Sequence, residues 1–96
     1  MLSIDDYIDA ARKHTRATSD RHLSTMMNKN LSVVGTYRTG RAWPEPETMI
    51  ELARLGKMDE QLAILYLGWW RALSKNQHLA ATLYLNMIED YEKQAA

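Results

Sequence analysis

The sequence contains no cysteine and no phenylalanine, only two prolines and four glycines, and no apolar run approaching the length of a membrane span. Without cysteine there is no disulfide framework and no thiolate metal site, so packing alone must hold the fold, as in proteins of a reducing compartment. The expected location is the cytoplasm. A bilayer span needs roughly 20 apolar residues, and none is present, so no membrane partner is expected. Asp5 and Asp6 also stand where a secretory leader would carry basic residues. The scarcity of proline and glycine, with leucine, alanine and methionine leading the apolar set, favours helices over short strands.

The chain also lacks net charge, which by itself argues against a phosphate-rich partner. The average conceals an asymmetry. Between residues 10 and 43, seven basic residues (Arg12, Lys13, Arg16, Arg21, Lys29, Arg38, Arg41) face a single acid, Asp20. From Pro44 onward five basic residues face eight acids. This split suggests a basic working face in the first half with a neutral to acidic scaffold behind it.

Helix boundaries follow from local chemistry. Ser3, with Asp6 three residues on, forms a capping-box variant opening a helix to about Lys13, whose Ile4, Tyr7, Ile8 and Ala11 make one buried stripe. Ser19 caps a second helix buried through Leu23, Met26 and Met27. Asn28 is suited to a left-handed turn, Asn30 to capping a third helix from Leu31 to about Thr39, and Gly40 to ending it. Pro46 suits the first position of a fourth helix that stops at Gly56. Asp59 caps a fifth, so evenly apolar around its circumference that burial on more than one side is expected. A sixth runs to about Lys93, with residues 94–96 expected to fray. The expected architecture is all-α: one domain over 1–96, about five helices plus a C-terminal helix, with a core over 4–65 and an extension over 66–94.

No catalytic constellation is present. His14, His22 and His78 share no ligand spacing, so neither a metal nor a cofactor is expected. The acids Glu45, Glu47, Glu51, Asp59 and Glu60 sit where they suit helix starts rather than paired acid-base work. No nucleophile elbow, phosphate-cradling glycine loop or metalloprotease motif occurs, and the chain is not read as an enzyme.

Two short helices joined by a tight turn in a basic segment have the organisation of a helix-turn-helix. Leu23 and Met27 bury the first, Ser24 is small where the two must cross, Asn28 turns the chain, and Val34 and Tyr37 anchor the second. On residues 19–23, on 30–41, on Pro44 and on 47–53, the chain resembles the lambda-repressor-like (XRE-type) helix-turn-helix family. Tyr37-Arg38-Thr39-Gly40-Arg41 and Pro44 are similar to a small phage-related branch, and the resemblance covers about residues 4 to 65. It departs from the family pattern at Lys29, usually apolar, at Ser24, usually alanine, and at Gly35 inside the second helix.

The resemblance implies a homodimeric regulator of transcription, such as a phage or prophage repressor, binding double-stranded DNA. It places Ser32 and Thr36 at base edges, with Leu31, Val33 and Gly35 on the same face. Arg21, Lys29, Arg38 and Arg41 become candidates for phosphate contacts. A face this mild implies that specificity leans on DNA shape or dimer spacing. The alternative is a protein-binding module on the same scaffold, antirepressor-like or an antitoxin, using Leu31, Val33 and Met26. In the C-terminal third, Trp69 and Trp70 point about 100° apart on one helix. Leu79, Leu83, Tyr84, Met87 and Tyr91 add a second apolar stripe, so Trp69, Trp70, Leu83 and Met87 are the candidates for self-association.

Overall fold

The computed structural model describes residues 1–95. It is all-helical: α1 (Ile4–Thr15), α2 (Asp20–Met26), α3 (Val33–Arg38), α4 (Pro46–Leu55), α5 (Glu60–Ser74) and α6 (His78–Ala95). Among the described residues, no helix is long and apolar enough to cross a membrane.

Local capping chemistry explains most of the boundaries. Ser3 Oγ accepts from the Asp6 amide while the Asp6 carboxylate accepts from the Ser3 amide at 2.7 Å, closing the capping box at α1. Ser19 Oγ accepts from the His22 amide at 3.0 Å and Asp59 Oδ1 from the Leu62 amide at 2.9 Å, opening α2 and α5. Pro46 stands at the start of α4, where its missing N–H is no loss. Asn28 adopts the left-handed conformation (φ 57°) in the turn, and Gly40 does so (φ 75°) just beyond α3.

Three boundaries differ from the sequence expectation. α1 continues to Thr15, beyond Lys13, and ends with Arg16 in the left-handed region. α3 begins at Val33 rather than Leu31. Asn30 Oδ1 accepts from the Ser32 amide and hydroxyl, 3.2 and 3.1 Å away, so its side chain closes a turn over residues 31 and 32 before the helix starts. α6 holds its helix through Ala95, beyond Lys93; Ala96, also expected to fray, lies outside the described residues.

The core forms where α1, α2, α3, α4 and α5 converge. Tyr7, Ile8, Leu23, Val34, Met49, Leu52 and Ala63 are sealed from solvent. Within it, Trp70 stacks on Trp43 (centroids 5.8 Å apart, 22° between planes), meets Tyr7 edge-on at 5.9 Å and lies 5.7 Å from Tyr66. This aromatic cluster fastens the segment after α3 to α5 and to α1. Trp70 is therefore a core residue with no surface to offer a partner, contrary to its expected role in self-association. Trp69 is half-buried and packs against the same core.

α6 packs on α5 alone. The two helices meet closely at Gly68, where a Cβ would lie 2.2 Å from the Tyr84 ring, so the ring rests directly on the α5 backbone. Ile88 is sealed in the core, and Tyr91 donates a hydrogen bond to Asp59 Oδ2 at 2.5 Å, tying the far end of α6 to the cap of α5.

Candidate nucleic-acid interface

α2 and α3 meet at Ser24, which is fully buried. Its Oγ donates to the Asp20 carbonyl at 3.0 Å and accepts from the Val34 amide at 3.2 Å. The second bond compensates for a local deficiency. Ser32, at the start of α3, makes no side-chain cap, so Ser24 on the preceding helix caps an amide in the first turn of α3. The departure from alanine at this position thus has a structural use, visible only once the two helices are brought together.

α3 is anchored from behind by Val34 and Tyr37. Burial, and then the nearby Glu45 carboxylate, push the Tyr37 phenol above its usual pKa. On the outer side, Ser32 is exposed while Val33, Gly35 and Thr36 are half-exposed. Leu31, in the turn before the helix, is 47% exposed. A Cβ on Gly35 would meet no atom within 4 Å, so nothing inside the protein requires glycine there.

The hydroxyls on this face are partly committed. Thr36 Oγ1 donates back to the Val33 carbonyl at 2.6 Å and Ser32 Oγ to Asn30. Both are left with lone pairs as acceptors.

The four cations expected at phosphates divide into two groups. Arg21, Lys29 and Arg41 are exposed and form no ion pair among the described residues. Arg38 is different. Its Nε and Nη2 grip Asp20 at 2.6 and 3.1 Å, Nη1 reaches Asp5 at 2.9 Å, and Nη2 also reaches Asp9 at 2.6 Å.

Asp5 and Asp9 lie one turn apart on α1, Asp20 opens α2, and Arg38 ends α3, so one guanidinium joins three helices. Arg12 shares Asp20 at 3.3 Å. The hydrogen bond to Asp20, supplemented by those to Asp9 and Asp5 and opposed by partial burial, raises the Arg38 pKa further above its usual value. With its donors turned inward, Arg38 holds α3 against α1 and α2 instead of standing free for a phosphate. Sequence reasoning missed this hub because Asp5 and Asp9 are 33 and 29 residues away. The one nearby signal was Asp20, the lone acid in the basic segment.

No protein-family model, curated protein or solved structure matches the chain.

Proposed function

We propose that the chain is a lambda-repressor-like helix-turn-helix protein that binds double-stranded DNA through the outward face of α3 and acts as a transcriptional repressor. The observation that carries this reading is the bare outer side of α3. Ser32 is exposed, Gly35 and Thr36 are half-exposed with open space over Gly35 among the described residues, and Val34 and Tyr37 fix the helix from behind. Short, small side chains let a helix lie deep in a major groove, with hydroxyl lone pairs facing base amino groups and the Thr36 methyl suited to thymine. Arg21, Lys29 and Arg41 supply phosphate contacts around this face. Arg38 is a positioning residue: it sets the angle of α3 rather than touching the backbone of the DNA.

Selection of duplexes from a random library at low salt, followed by comparison of two variants, tests the reading. Gly35→Ala should stabilise the fold by up to about 1 kcal/mol, because alanine favours a helix interior and the site has room. The same change should weaken DNA binding by interposing a methyl group at the groove. Arg41→Ala should weaken binding to every sequence alike and reduce the salt dependence by about one phosphate contact. Failure to retain any duplex at low salt refutes the proposal.

One observation favours a second reading, a module that captures a protein. Leu31 and Met26 are 47% and 44% exposed, and the half-exposed Val33 lies close by in sequence. Under that reading, duplex selection fails and Leu31→Lys abolishes capture of a protein partner.

A further inference from the structure

We propose that the outward face of α6 is a self-association surface on which a second copy of this chain docks its own α6 antiparallel, with the twofold axis passing at Leu83. α6 has two apolar faces. Ala81 and Ile88 are buried against the body of the protein, with Tyr84 resting on Gly68 beside them. Leu79, Leu83 and Met87, one turn apart from one another, point away from it and are 88%, 64% and 44% exposed. Because α6 packs only on α5 among the described elements, none of the described residues covers this stripe. Its spacing gives a seam about 80° wide over two turns, the width that one facing helix covers.

Charge identifies the occupant as the same chain and sets its direction. Residues 61–88 contain Arg71 and Lys75 but no carboxylate, so the corner between α5 and α6 is cationic. The last turns of α6 carry Glu89, Asp90 and Glu92 against Lys93 alone. None of these residues has an ion-pair partner among the described residues. Carboxylates at the C-terminal pole of a helix are locally unfavourable, since that pole is itself negative. An antiparallel copy lays each acidic end beside the cationic corner of the other subunit, twice by symmetry, and opposes the two helix dipoles. A parallel copy would set acid against acid. The antiparallel register places Leu83 against its own copy and Leu79 against Met87 of the other subunit. The arrangement is independent of whether α3 binds DNA.

The absence of cysteine makes a direct test possible. Leu83→Cys in the full chain should form a covalent dimer rapidly under mild oxidation. Leu79→Cys and Met87→Cys should each cross-link poorly alone and well when mixed. In light scattering the wild-type chain should have the mass of a dimer, and Leu83→Lys that of a monomer with unchanged helix content, since Leu83 contributes little to the core. Lys75→Glu and Asp90→Lys should each weaken the dimer several-fold, and their combination should restore it. A wild-type monomer at roughly 0.1 mM, where any physiologically useful dimer would form, overturns the proposal. So does a Leu83→Lys dimer, or self-linking of Leu79→Cys as fast as that of Leu83→Cys.

Discussion

Replacing Ser24 by alanine sets the geometry of the α2–α3 crossing against the family resemblance, in which alanine is usual. The side chain is fully buried, so no solvent takes over its hydrogen bonds. The bond to the Asp20 carbonyl is the smaller loss, because that oxygen keeps its helical partner. The bond from the Val34 amide matters more: this N–H has no other acceptor among the described residues. A buried donor left without a partner costs about 1–3 kcal/mol, against which alanine recovers about 0.5 kcal/mol of helix propensity. The net loss should be about 1–2 kcal/mol, and each kcal/mol lowers the melting temperature of a domain this size by about 4–8 °C. Urea unfolding followed by circular dichroism gives the first number, and a thermal scan the second. Amide exchange at Val34 should accelerate more than exchange in α5. Equal or greater stability of Ser24→Ala would refute the reasoning and show that the crossing needs only a small residue.

Arg38→Ala should cost about 1–2 kcal/mol in urea unfolding, a figure discounted because Asp5 and Asp9 are largely exposed; Arg21→Ala should stay within about 0.5 kcal/mol. Gly68→Ala should change sign with context: in a Tyr84→Ala background it should stabilise by about 1 kcal/mol, whereas with Tyr84 present the clash with the ring should cancel or reverse that gain, as a double-mutant cycle will measure. The Tyr91–Asp59 bond lowers the Asp59 pKa from its ordinary 3.8 and raises that of Tyr91 from 10.0. Its stabilisation should be complete from about pH 4 to pH 10, and lost as pH falls through the lowered Asp59 pKa or rises through the raised Tyr91 pKa. Tyr91→Phe should flatten the pH dependence of the urea midpoint at both ends.

What was legible in the sequence was what neighbours decide. Ser3, Ser19, Asp59, Pro46 and Asn28 act on amides or dihedrals within a few residues, and each works in the fold as its local chemistry requires. The beginning of α3 was not legible, because Asn30 can cap a helix or close a turn with the same oxygen, and the outcome depends on how Val34 meets Ser24. The buried set was recovered where a helix has one apolar stripe, as in α1. It was ambiguous where apolar residues surround the helix: nothing about Trp69 and Trp70 says which one Trp43 will stack on. The role of Arg38 was the least accessible of all, since charge counted along the chain cannot reveal that acids from another helix will enclose it.

The aromatic cluster also has a spectroscopic consequence. Every tryptophan of the chain sits in or beside one locus, Trp43 after α3 and Trp69 and Trp70 on α5, with two of the indoles stacked. Tryptophan fluorescence therefore watches the seam between α5 and the segment that follows α3, and is nearly blind to α2 and α3 themselves, whereas near-ultraviolet dichroism also carries the buried Tyr37 of α3. A ligand that seats on α3 should leave the tryptophan emission quiet unless it pulls on that seam. A change in that emission on binding would thus report motion transmitted through residues 39–43 rather than contact.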